Sequence, residues 1–82
     1  MMRKKEIILS DISTKNISEL IQLACHYNSE IFLEDKYCRI NAKSLMGVMT
    51  FRPARGMPLS IIATGNDELE AISAIENFLV HG

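Results

Sequence analysis

Apolar and polar positions change rhythm several times along the chain, and each change marks an element. "KKEIILS" (Lys4–Ser10) is compact and rich in isoleucine, and predicts a first strand. "DIST" interrupts it with turn and cap residues. From Ile17 the apolar positions fall at Ile17, Leu20, Ile21, Ala24 and Tyr27, a period of about 3.6 that predicts an amphipathic helix. Its N-cap is either Ser13, at the head of "STKN", or Asn16, with Glu19 three residues on as a capping-box partner. "HYNSE" closes that helix. "EIFLEDKYCRINA" then alternates, with Ile31 and Leu33 on one face and Glu30, Phe32 and Glu34 on the other. "EDKY" is a polar reversal and Tyr37–Ala42 resumes as a strand, so the pair predicts a hairpin. "SLMGVM" predicts a short helix capped by Ser44, and Pro53, Gly56 and Pro58 mark an irregular loop. "PLSIIATG" is a fourth strand ended by Gly65, and "NDELEAISAIENFLVHG" is the last helix. Asp67 is its expected cap with Glu70 as partner, and Leu69, Ile72, Ala74, Ile75, Phe78 and Leu79 form its apolar stripe. Gly82 follows the last periodic residue.

Helices this apolar on one side need a sheet to cover. The order strand–helix–strand–strand–helix–strand–helix therefore predicts an α+β two-layer sandwich: an antiparallel sheet with helices on one face. At 82 residues the chain is one domain, 1–82, with room for one core and none for a separate catalytic domain. There are no internal repeats or low-complexity segments.

Composition removes several classes of function. The formal net charge is −1, so no bulk field draws in nucleic acid or anionic lipid. Arg52 and Arg55 add a local basic pair, which reads as a solvated loop rather than direct nucleic-acid contact. No apolar run approaches the roughly 20 residues of a membrane span. The basic start "MMRKKEIILSD" carries only "IIL" as an apolar stretch, too short for a signal-peptide core, and the expectation is a cytoplasmic protein. Cys25 and Cys38 form no CxxC pair and read as free packing thiols. Cys25 and His26 are adjacent on a helix and point about 100° apart, which argues against a metal site. No paired carboxylates, nucleophile–base pair or phosphate-cradling glycine loop is visible, so neither catalysis nor a cofactor is expected.

The stretch that carries chemistry is "KSLMGVMTF", Lys43–Phe51. Ser44 stands where a helix N-cap belongs, facing free backbone N–H groups and the positive end of the helix dipole. A capping serine is one reading; a phosphorylated serine is the other, since a phosphate brings about −1.5 to −2 charges to such a place. Lys43 adds an adjacent cation. Leu45, Met46, Val48 and Met49 cannot all face inward on a helix of about two turns. Either Met46 and Met49 plug the gap between helix and sheet, or they are exposed beside the hydroxyl as a docking patch. A glycine inside so short an apolar run argues against a routine core helix.

"NAKSLMGVM" resembles the regulatory-serine segment of the HPr family, the small phosphocarrier proteins of the sugar phosphotransferase system. "CHYNSEIFLEDK" resembles the end of that family's first helix and its second strand, and "ATGNDELEAISAIENFL" its fourth strand, Gly-x-(Asp/Glu)-(Asp/Glu) turn and final helix. The resemblance covers nearly the whole chain and implies the HPr open-faced β-sandwich: a four-stranded antiparallel sheet covered on one face by three helices, βαββαβα.

The family's second motif is missing. HPr proteins carry Gly-(Ile/Leu)-His-Ala-Arg-Pro at the start of the first helix, and its histidine relays a phosphoryl group from enzyme I. Here the stretch is "DISTKN". A gapless match puts Ser13 at the histidine position, Lys15 at the arginine position and Asn16 at the proline position; a slip of one residue puts Thr14 at the histidine position instead. A serine phosphate ester is far more inert than a phosphohistidine, so Ser13 is a degenerate phosphocarrier position. His26 is no replacement, about 13 residues or ~20 Å along the helix at 1.5 Å per residue. Lys15 keeps some anion affinity, but as a point charge without arginine's fork.

The resemblance is to the catabolite-repression branch of the family, which has lost the histidine and keeps the serine. Members of that branch are phosphorylated by HPr kinase/phosphorylase and then bind a LacI-type catabolite control transcription factor as its corepressor. By that resemblance Ser44 is the phosphorylation site, and Lys15, Lys43, Leu45, Met46 and Met49 are the partner-binding residues. The chain departs from the branch in its lysine at position 15 and in Arg52, Pro53 and Arg55 of "FRPARG", where small and aliphatic residues are usual. The alternative is a module that occupies enzyme I or a sugar permease component through the same patch, without passing phosphate on and without regulation at the serine.

Overall fold

The computed structural model describes residues 2–9, 14–51 and 56–81, with side chains given for all of these but 14–16 and 81. Its elements run β1 (Met2–Ile8), α1 (Thr14–Cys25), β2 (Glu30–Glu34), β3 (Arg39–Asn41), α2 (Leu45–Phe51), β4 (Pro58–Thr64) and α3 (Glu68–His81). The strands form one antiparallel sheet in the order β1-β4-β2-β3. This is the βαββαβα open-faced sandwich, with the helices gathered on one face.

Alternation decides which residues enter the core. Ile31 and Leu33 of β2 and Leu59, Ile61 and Ala63 of β4 turn to the helix side and are buried. There they meet Leu20 and Ala24 of α1, Val48 and Phe51 of α2, and Ala71, Ile75 and Leu79 of α3. β4 lies between β1 and β2, so its residues from Leu59 to Ala63 are all buried, including Ser60 and Ile62 on the open side. With both of its faces covered, β4 carries apolar residues on each of them, Ser60 apart. In register, Ile62 is flanked by Lys4 and Phe32. The Arg39 guanidinium lies over the Phe32 ring and pairs with Glu34, which Lys4 also approaches. Charged heads with long stems thus roof an apolar strip on the open face.

Several boundaries differ from the sequence expectation. β1 starts at Met2 and stops at Ile8, because its length is set by the ladder Met2↔Thr64 to Ile8↔Pro58 and not by its own apolar run. Leu9 continues the pairing through backbone bonds to Met57 and Gly56 and is buried, while Ser10 lies outside the described residues. β3 is shorter than Tyr37–Ala42: Asp35 Oδ1 accepts the Tyr37 and Cys38 amides, which commits both to the turn. Asn16 is not a cap, since α1 is already helical from Thr14; Ser13 lies outside the described residues. Leu69 is exposed, and Ala71 takes its expected place in the α3 stripe. The expected Asp67–Glu70 capping box is replaced. Asp67 sends its carboxylate across to the α1–β2 corner, and Glu68 Oε1 accepts the Gly65 amide. Arg52, Pro53, Arg55 and Gly82 lie outside the described residues.

Among the described residues no helix is long and apolar enough to cross a membrane.

Candidate functional site

The site begins at a turn. Asn41 Oδ1 accepts the Lys43 amide at 2.8 Å and the Asn41 carbonyl accepts the Ser44 amide at 3.0 Å. An asparagine at the head of a turn bonds forward in this way because its short amide mimics a backbone carbonyl. The turn delivers Ser44 to the head of α2. Its carbonyl accepts the first helical amide, from Val48 at 3.0 Å, and its Oγ accepts the Gly47 amide at 3.1 Å. Ser44 is therefore the N-cap that the sequence implied. Its oxygen is an acceptor in that bond, and none of the described hydrogen bonds takes its proton. The residue is half-buried, at the surface end of the helix.

α2 has two faces. Val48 and Phe51, three residues apart, point into the core and hold the helix down. Leu45, Met46 and Met49 point out, with relative exposures of 53%, 79% and 51%. Together with Thr50 they line a shallow groove, and the Thr50 hydroxyl bonds back to the Met46 carbonyl at 2.8 Å. The thioethers do not plug the gap between helix and sheet; Val48 and Phe51 do.

Gly47 explains the glycine in the apolar run. A Cβ there would stand 3.3 Å from Ser44 Oγ and 3.4 Å from Ser44 Cβ. Those contacts are tight without being impossible, so the missing methyl keeps open the flank of the hydroxyl.

Lys43 behaves differently from a free surface cation. Its Nζ donates to the Tyr27 carbonyl at 2.7 Å, just beyond the C-terminal end of α1, where the helix dipole favours a positive charge. Lys15 lies in the first turn of α1, but its side chain is outside the described residues, as is all of Ser13. The structure brings Lys43, Ser44, Leu45, Met46 and Met49 together on the β3–α2 turn and α2. Sequence reasoning missed Asn41, Gly47 and Tyr27 as positioning residues. Asn41 was readable from its place before "AKS"; the Tyr27 contact spans 16 residues and had no local signal.

The remaining reactive groups are elsewhere. His26 is exposed just past α1, its ring edge-on to Tyr27 with centroids 5.3 Å apart. Cys25 and Cys38 are free and exposed. Desolvation, and then the nearby Asp35 carboxylate, raise the Cys38 thiol above its ordinary value, which works against a nucleophilic thiolate. Among the described residues no cluster of His, Cys, Asp or Glu is placed to hold a metal ion.

A family profile described as "PTS HPr component phosphorylation site" matches residues 9–81. The chain is 41% identical over 59 residues to an HPr-like protein Crh of Halalkalibacterium halodurans, spanning 72% of this chain and 70% of that one. It is 30% identical over 80 residues to the HPr-like protein Crh of Bacillus subtilis, spanning 96% and 94%. The fold superposes on the crystal structure of a phosphocarrier protein HPr from Bacillus anthracis with a TM-score of 0.91 at 27% identity, covering 95% and 96% of the two chains. A serine-capped helix with a bare apolar face, on an open-faced sandwich and in a chain with this match along most of its length, places the protein in the HPr family of the sugar phosphotransferase system, similar to its Crh, catabolite-repression branch.

Proposed function

We propose that this HPr-like protein is a cytoplasmic regulatory phosphoprotein, switched at Ser44 and without a phosphoryl relay of its own. HPr kinase/phosphorylase with ATP supplies the modification. The Ser44 oxygen attacks the γ-phosphorus, a new O–P bond forms, the bond to the bridging oxygen of ADP breaks, and the serine proton leaves to a base on the kinase. The phosphoserine then adds about −1.5 to −2 charges beside Leu45, Met46 and Met49. A LacI-type catabolite control transcription factor takes both features together, clamping the phosphate with basic side chains while the apolar residues enter a greasy pocket. The protein acts as corepressor and catalyses nothing.

The observation that supports this reading is the disposition of α2. One side, Val48 and Phe51, is sealed in the core, while none of the described hydrogen bonds takes the proton of the capping hydroxyl and three large apolar neighbours are exposed. The absence of histidine between residues 9 and 17 agrees with it, because a relay needs the labile N–P bond. Incubation with HPr kinase and ATP should raise the mass by one phosphate, and Ser44→Ala should remove that shift. A pull-down comparing phosphorylated and unmodified protein should retain the transcription factor only with the former. An unshifted mass in the wild-type chain ends the proposal.

A second reading draws on the same patch. Leu45, Met46 and Met49 are already exposed without phosphate. A module that occupies enzyme I or a permease component through them would need no switch. Co-purification with enzyme I that survives Ser44→Ala would favour it.

A further inference from the structure

Two loops far apart in sequence clamp the corner between α1 and β2. Asp67, from the turn before α3, accepts the Asn28 amide at 2.9 Å and the Ser29 amide at 2.9 Å, and also takes the Ser29 hydroxyl. Lys43, from the turn before α2, donates its ammonium to the Tyr27 carbonyl at 2.7 Å. The first clamp comes from a residue with no tie to α2. The second comes from the residue next to Ser44.

That adjacency has an electrostatic consequence. The Tyr27 carbonyl is a neutral dipole at the negative end of a helix. A phosphate on Ser44 is a near-dianion with three strong acceptor oxygens, one residue along the chain from the same ammonium. A lysine carries its charge on a flexible four-carbon stem and can change partner without moving the backbone. A fully ionic pair outcompetes an ammonium–carbonyl bond when both are within reach and partly screened from water.

We propose that Lys43 transmits the Ser44 switch: in the unmodified chain it braces the α1–β2 corner through the Tyr27 carbonyl, and a phosphate on Ser44 draws it away. The inference rests on reading Ser44 as the modified residue. Its effect appears on a second surface. Tyr27 stands at the rim of a groove along α3 lined by Leu69, Ser73, Ala74 and Asn77, so a phosphate on α2 loosens a wall of that groove. Asn28 and Ser29 keep their bonds to Asp67 but lose the support of the adjoining carbonyl, so those two amides open more often while the corner does not unfold.

The test uses isotopically labelled full-length protein and nuclear magnetic resonance. In the unmodified wild type, a coupling between Lys43 Nζ and the Tyr27 carbonyl carbon should be present. Lys43→Met should speed amide exchange at Asn28 and Ser29 by about tenfold, the scale on which losing one charge-assisted bond acts. Equal exchange in the two unmodified proteins overturns the brace, with no kinase involved. After kinase and ATP, a one-phosphate mass shift with loss of the Lys43–Tyr27 coupling, and no added effect of phosphate at Asn28 and Ser29 in Lys43→Met, supports the transfer. The same mass shift with the coupling intact overturns the transfer and leaves Ser44 as the site. No mass shift overturns the Ser44 reading and this inference with it.

Discussion

Two serines sit at two turns of this protein and are used in opposite ways. Ser29, at the α1–β2 corner, is 1% exposed; its hydroxyl and its amide both donate to Asp67. Ser44, at the head of α2, is half-buried; its oxygen accepts from the Gly47 amide and its proton is not taken by any described group. Glycine completes each site, with contrary effect. Gly65 lets backbone press against Ser29, while Gly47 leaves room beside Ser44. A hydroxyl is addressable by another protein when its hydrogen bond leaves the O–H free and its surroundings leave it in water. Composition of the local sequence does not tell the two apart; the direction of the bond and the packing around it do.

The comparison breaks most severely at Gly65. Its φ is 153°, and a Cβ there would stand 2.7 Å from Ser29 Cα and 2.6 Å from Ser29 Oγ. Gly65→Ala should cost about 3 kcal/mol from backbone strain and overpacking together, read as a lower urea midpoint. The folded fraction should still accept phosphate at Ser44, because the described hydrogen bonds of the Ser44 cap run to Asn41, Gly47 and Val48 and to no residue of the corner. Loss of phosphorylation in the folded variant would mean that the corner controls access to the Ser44 cap.

Ser29→Ala is the next largest. Removing a buried donor to a carboxylate should cost about 1.5 kcal/mol at neutral pH. The pH dependence sharpens the claim. The Ser29 hydroxyl, and then the Asn28 amide, hold the Asp67 carboxyl below its ordinary 3.8. A carboxyl lowered in the folded state stabilises it fully above the unfolded value and loses that contribution as pH falls through the folded one. The stability gap between wild type and Ser29→Ala should therefore be full at pH 7 and shrink as pH drops below about 3.8. Urea titrations at both ends measure it, and a gap unchanged in acid would show that the bond owes nothing to the Asp67 charge.

Ser44→Ala tests the other member of the pair. As an N-cap, Ser44 should be worth about 1 kcal/mol, with no comparable acid dependence, because no carboxylate is among its described partners. The same variant should take no phosphate from HPr kinase, by mass spectrometry. A stability loss as large as that of Ser29→Ala, with the same fall in acid, would erase the distinction between the two serines.

Much of the fold was legible because it rests on local periodicity. The 3.6-residue spacing from Ile17 to Ala24 and the alternation of Ile31 and Leu33 against Phe32 and Glu34 are properties of single elements, and the structure repeats them, while Tyr27, expected in the same helical stripe, lies past the end of α1 at Cys25. β4 was legible to the residue, since Pro58 and Gly65 bracket it. What the sequence hid are relations between elements. The length of β1 is fixed by a partner 50 to 62 residues away, and the role of Asp67 by a corner nearly 40 residues earlier. The site shows the same division. The cap at Ser44 follows from a serine before a helical run, and counting faces on a short helix requires some of Leu45, Met46, Val48 and Met49 to be exposed without saying which. That Val48 and Phe51 are the α2 side chains that enter the core, and that Lys43 is already bonded to Tyr27, depends on tertiary packing that no spacing encodes.

The smallest expected change in stability carries the finest test of why α2 contains a glycine. An alanine in a helix interior is favoured over glycine by about 1 kcal/mol through backbone entropy. Gly47 sits in the first turn with a helical backbone, so Gly47→Ala gains part of that. The new methyl, 3.3 Å from Ser44 Oγ, asks that side chain to give by a few tenths of an ångström, which offsets part of it, while the Asn41 carbonyl at 3.6 Å is in ordinary contact. The net result should be a gain of about 0.5 kcal/mol in urea denaturation, the propensity term less the crowding. Phosphorylation should move the opposite way. A phosphate and the active site of a kinase need the volume that the methyl fills, so the rate of phosphate incorporation should fall while the unmodified protein grows more stable. A glycine kept only for helix entry would give the stability gain with an unchanged rate. A glycine kept for access gives a more stable protein that is a poorer substrate, and only that outcome ties the open flank of Ser44 to its use as a switch.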